Sequence, residues 1–192
     1  MKNKRQMARL KRQRQQKLKR ISLIIAGLAV VAVLAYAFTI GAQPAVGEEV
    51  EIMADFSHVE EGTDPGPYNT DPPTSGRHYA NSYQSGFFEE ADVNVPYPAG
   101  YLVHSLEHGY VIFWYNCNVI DESDCTQLKS EIRAVMDGAN NVKVIAHPWD
   151  SLEVPVVMTS WGRMLRMESF DAEVASSFVE RNRNKAPEPN AP

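Results

Sequence analysis

Leu102-Val103-His104-Ser105-Leu106-Glu107-His108-Gly109-Tyr110-Val111-Ile112-Phe113-Trp114-Tyr115 is the stretch on which the fold turns. Residues 102–107 suit one or two helical turns and Gly109 ends them. Residues 110–115 then form a run of β-branched and aromatic side chains suited to a buried strand. Downstream, Leu128, Ile132, Val135 and Met136 recur at helical spacing, which predicts a helix from Ser123 or Asp124 to about Asp137, with Gly138 past its end. Residues 142–146 read as a second apolar strand, and residues 154–161 and 163–168 as a hairpin turning at Gly162. Asp171 opens a last helix, with Val174, Phe178 and Ala175 on its apolar stripe. This order predicts an α+β domain, a small mixed β-sheet with two packed helices.

Upstream, residues 50–56 (VEIMADF) suit a first strand. From 57 to 98 turn formers dominate, yet Tyr68, Tyr79, Tyr83, Phe87, Phe88 and Tyr97 recur among them. A loop-rich region of that length and aromatic content is organised by its own packing. The tail 186–192 (APEPNAP) holds too little apolar surface to fold and is expected to be disordered. The domain is thus expected to span 50–185.

The first forty residues are of a different kind. Ten of the 19 Lys and Arg lie within residues 1–20, and no acidic residue precedes Glu48. Residues 21–40 carry no charge, and at 1.5 Å per residue twenty of them span about 30 Å of hydrocarbon. The pattern predicts a basic cytoplasmic stub (1–20), one transmembrane helix (21–40) and a tether (41–49), with the domain extracytoplasmic because flanking positive charge stays inside. A cleaved secretory signal is the alternative, although twenty apolar residues exceed the usual signal core. Either way the domain is exported. Beyond residue 20, nine basic residues against 24 acidic ones leave −15, which disfavours nucleic acid as a partner. The cell membrane is the expected location, and envelope proteins are candidate partners.

Cys117 and Cys125 are the two cysteines, both in the exported part, and an oxidising compartment predicts a disulfide between them. Histidine is scarce, five in 192 residues, and all five lie in the domain. His78 ends Pro72-Pro73-Thr74-Ser75-Gly76-Arg77-His78, a stiff segment able to hold one side chain in a fixed direction. His104 and His108 stand four apart, so one helical turn presents both imidazoles on one face. His78, His104 and His108 are therefore the candidate metal ligands, with Glu107 orienting them from behind; His58, His147 and Met164 are further candidates. Imidazole with thioether, for which Met158, Met164 and Met167 are at hand, selects copper; imidazole with carboxylate suits zinc. The segment His104-Ser105-Leu106-Glu107-His108 also fits the H-x-x-E-H pattern of inverted zinc peptidases, but Gly109 ends the long helix such enzymes require.

These residues carry a family resemblance. His58-Val59 with Gly62, Tyr68, Pro72-Pro73-Thr74-Ser75-Gly76 with His78, Gly86, and the run from Leu102 to Val111 resemble a bacterial membrane-anchored family known as domain of unknown function 3105. The likeness covers about residues 50–168 and implies one exported domain with His58, His78, His104, Glu107 and His108 inside its signature; it implies no activity. The favoured reading is a non-enzymatic metal-binding module, for copper before zinc. The alternatives are an interaction or scaffold module of an envelope complex with structural histidines, and a metal-dependent hydrolase. No phosphate loop, C-x-x-C pair or haem-attachment motif is present.

Overall fold

The computed structural model describes residues 2–41, 46–93 and 95–191; within the first helix, side chains are described for 16–34 and 36. The chain divides into two units, Met1–Pro44 and Ala45–Pro192. The first contains α1 (Lys2–Gly41). Among the described residues no helix is long and apolar enough to cross a membrane. Side chains at 35 and 37–40, the end of the expected span, and residues 42–45 of the expected tether lie outside the described residues.

The second unit is built on a six-stranded mixed sheet. Its strands are β1 (Glu48–Glu49), β2 (Gly86–Phe87), β3 (Val111–Tyr115), β4 (Val144–Pro148), β5 (Val156–Ser160) and β6 (Arg163–Met167), in the order β1-β6-β5-β3-β4-β2. β4 runs parallel to both β3 and β2, while β5 is antiparallel to β3 and β6. All five side chains of β3 are fully buried, because the sheet is covered on both faces. Val111, Phe113 and Tyr115 pack with α3 (Glu122–Gly138) and α4 (Ala172–Asn182). Ile112 and Trp114 join Leu102, Val103 and Leu106 of α2 (Ala99–Glu107). Burying each such side chain contributes about 2 kcal/mol, so β3 anchors both layers.

The α3 face is the expected one: Leu128, Ile132, Val135 and Met136 are its buried residues. Its start moves forward, since Asp121 occupies the N-cap position. Asp171 caps α4 by accepting from Glu173 N and Val174 N, but the buried stripe is Ala175, Phe178 and Val179, and Val174 faces outward. The hairpin forms, with Gly162 at φ +65° where a left-handed turn residue is needed.

Four expectations need correction. Residues 50–56 form no strand: they are largely exposed, and their polar groups bind loops, with Met53 N donating to Ser75 Oγ and Glu51 O accepting from Asn69. The strand expected at 142–146 is β4, shifted to Val144–Pro148 so that it includes His147. Among the described residues the domain carries three α-helices, not two. The tail does not dangle, for Glu188 N donates to Glu107 O and Lys143 Nζ donates to Pro189 O and Ala191 O. Cys117 and Cys125 are disulfide-bonded, as expected, linking the end of β3 to the first turns of α3.

Candidate metal centre

Three chain segments meet on the α2 side of the sheet. The loop around His58 runs beside the Pro-Pro-Thr-Ser-Gly segment as an isolated parallel bridge, with Val59 N donating to His78 O (2.8 Å) and His78 N to Ser57 O (3.3 Å). That segment is docked in turn on α2 through Tyr79 N to Gly100 O (3.0 Å). Gly100 is required there, since a Cβ would run into the Tyr79 ring. Tyr68 Oη on Arg77 O and Tyr79 Oη on Thr63 O tie the long loop to the same place.

The outcome is a cluster of imidazoles. His58, His78 and His104 each offer one nitrogen, and these atoms lie within 4.8 Å of one another, close enough to hold a metal ion after small adjustments. Their ring centroids are separated by 4.8 Å (His58–His78) and 5.1 Å (the other two pairs). His78 is fully buried and His104 nearly so, whereas His58 is exposed.

The tautomers follow from the acceptors. A carbonyl can only accept, so His78 Nδ1 donates to Gly76 O (2.9 Å) and His104 Nδ1 to Tyr79 O (2.6 Å). With Nδ1–H so engaged, Nε2 is the nitrogen each ring has left to offer a metal ion. This is the arrangement by which proteins orient metal-ligating histidines. Burial holds His104 neutral, lowering its pKa from 6.5 to about 4, with the nearby His108, His78 and His58 pushing the same way against the Tyr79 hydrogen bond.

Two contacts mark where positive charge belongs. His78 Nε2 lies 3.0 Å from Glu107 Oε2, within ion-pair range, yet the pair misses hydrogen-bond geometry and the nitrogen has no other hydrogen-bond partner. A lone pair facing a carboxylate is repulsive unless a proton or cation lies between them. His104 Nε2 stands 2.9 Å from His108 Nε2, so His108 must be the donor in that bond. An ion at His104 therefore competes with the His108 proton.

Of the residues singled out from the sequence, His78, His104, His108 and Glu107 meet here, and His58 joins them. His108, the C-cap residue of α2, touches the cluster through His104 and also faces Glu188 Oε2 at 3.6 Å. His147 is placed elsewhere, among the rings of Tyr83, Phe88, Trp114 and Trp149. Met158 and Met167 sit in the core under α3 and α4, and Met164 in the core under α2. Glu188 had no signal in a tail of proline, alanine and asparagine, and the Tyr79 and Gly76 carbonyls are invisible to side-chain patterns.

The fold and site define a class: an α+β domain whose loop-rich half gathers histidines against a helix C-terminus. Residues 58–192 match a family described as protein of unknown function (DUF3105), and the chain belongs to that family. The match extends through the tail that carries Glu188. Neither the curated proteins nor the solved structures include a match to this chain.

Proposed function

We propose that this protein is a metal-binding module held at the outer face of a membrane by α1. The observation that carries the metal reading is the convergence of His58, His78 and His104 on one point, two of them oriented by Nδ1–H bonds to backbone carbonyls. With Met158, Met164 and Met167 in the cores, the thioether argument for copper(I) falls away. Imidazoles with Glu107 form a donor set suited to zinc, and copper(II) is the runner-up. His108 supplies a fourth donor once its proton is displaced.

The anchoring reading rests on the uncharged residues 21–40, on the basic run before them, and on Leu23, Ile24, Leu28 and Val31 of α1 all being exposed. It places the disulfide and the histidines on the oxidising side.

The test is elemental analysis of the full-length chain after dialysis, with a thermal melt before and after adding zinc. One zinc per chain and a raised Tm are expected, both abolished in His78→Ala and His104→Ala. Absence of bound zinc or copper in the wild-type chain would defeat the proposal. A second reading has one observation in its favour: the same Nδ1–H groups satisfy loop carbonyls, so the histidines can act as structural pins in an interaction module. On that reading both variants lose stability equally with zinc and with chelator.

A further inference from the structure

The three imidazoles are not equally reachable. His78 and His104 are sealed, and His58 alone meets solvent. Beside His58 a cleft of about 360 Å³ opens, lined in part by Asp55, Ser57, Glu107 and Glu188. Three carboxylates line it together with His58, and among the described residues no Lys or Arg does. Two of those charges are held in place. The Asp55 carboxylate accepts from Ser57 N (3.1 Å) and Ser57 Oγ (2.7 Å), which fixes it three residues ahead of the bridge residue His58. Glu188 is brought over by the C-terminal strap, its N–H on Glu107 O and its Oε2 3.6 Å from His108 Nε2, while its side chain stays 59% exposed.

An independent feature inside the site points the same way. His78 Nε2 is fully buried, has no hydrogen-bond partner and lies 3.0 Å from the carboxylate of Glu107, itself part of the cleft wall. A cation arriving from the cleft therefore meets the Glu107 carboxylate beside His78 Nε2, which has no hydrogen-bond partner.

We propose that this cleft is the mouth through which a divalent cation is loaded, with Asp55 and Glu188 as steering charges and His58 as the first ligand met. The inference rests on the metal-centre reading and deepens it: the ion is exchangeable cargo taken up from outside, not a permanent structural clamp. Opposite charge around an opening raises the capture rate of an ion, and salt screens that effect. Charges at the rim thus act on the rate of entry more than on the bound state.

The experiment is stopped-flow mixing of the metal-stripped full-length chain with Co²⁺, read by cobalt absorbance, for wild type, Glu188→Gln and Asp55→Asn. Asn keeps an oxygen acceptor for the Ser57 turn, and Glu188 is exposed, so both variants retain the fold. Each is expected to slow capture about threefold at low ionic strength, with the difference vanishing in high salt and the amount of Co²⁺ bound unchanged. Full Co²⁺ binding at unaltered rates in both variants would overturn the mouth and leave the site standing. No Co²⁺ binding by wild type would overturn the metal centre, and the mouth with it.

Discussion

His147 shows what one buried titratable residue contributes. Its Nδ1 donates to Pro148 O (2.7 Å), its Nε2 has no partner, and the rings around it are uncharged. Burial therefore lowers its pKa from 6.5 to about 4. The unfolded chain takes up a proton near pH 6.5 and the native chain resists until about 4, so stability is full above 6.5 and falls as pH drops across that window. The loss from this one residue approaches about 3 kcal/mol. Denaturant unfolding of wild type and His147→Gln from pH 7 to 4, in chelator, checks this. The wild type should lose more stability than the variant across the window, and parallel profiles would refute the assignment. At this scale the sequence was informative about which residues mattered and less so about how they group. The spacing of His104 and His108 is local, so it was readable. His58 reaches the cluster only through a bridge to a segment twenty residues away, and no local pattern encodes that.

Among elements, α3 was legible because burial of one face leaves a helical period in the sequence, and β3 because burial of both faces leaves an unbroken apolar run. Residues 50–56 carry some of the same residue types, yet they spend their backbone groups on loops, and such pairing leaves no period. The junction between α2 and β3 is the most demanding joint. Gly109 sits at φ +83°, and a Cβ there would lie 2.7 Å from Asn184 Cα and 3.0 Å from Asn184 N. Gly109→Ala thus combines left-handed strain with a backbone clash against the strap, and should cost about 3 kcal/mol in denaturant unfolding; a change within about 0.5 kcal/mol would show that the strap yields freely. The next joint, β3 into α3, is stapled by Cys117–Cys125. Closing so short a loop contributes about 2.5 kcal/mol on the chain-entropy account. The double Ser variant should lose about that much and become insensitive to reductant, while wild type in reductant should fall to the same level.

For the molecule as a whole, charge and hydropathy were readable as averages, whereas the strap was misread because composition is blind to backbone carbonyls. Those carbonyls are what hold it. Lys143, just ahead of β4, gives its ammonium to His108 O (2.9 Å), Pro189 O (2.8 Å) and Ala191 O (3.1 Å), so one side chain joins the end of α2, the sheet and the tail. Arg183 adds two bonds, to Ala139 O and Val142 O, and Asn184 N donates to Gly109 O. Once the ammonium is removed, the last residues keep the Glu188 N–H to Glu107 O bond, whose worth is about 1 kcal/mol, the 3.6 Å contact of Glu188 with His108 and the packing of Ala186. Lys143→Met keeps most of the aliphatic length and deletes only the charge and its three donors. The variant should lose about 2 kcal/mol of stability, and its strap should open far more often than the domain unfolds. Trypsin reports this directly, because cleavage after Lys185 releases 186–192 as one fragment visible by mass spectrometry. Wild type should resist under native conditions while Lys143→Met is trimmed at that bond. Equal protection in the two proteins would mean that Arg183 and Asn184 alone retain the strap and that Lys143 is not its clamp.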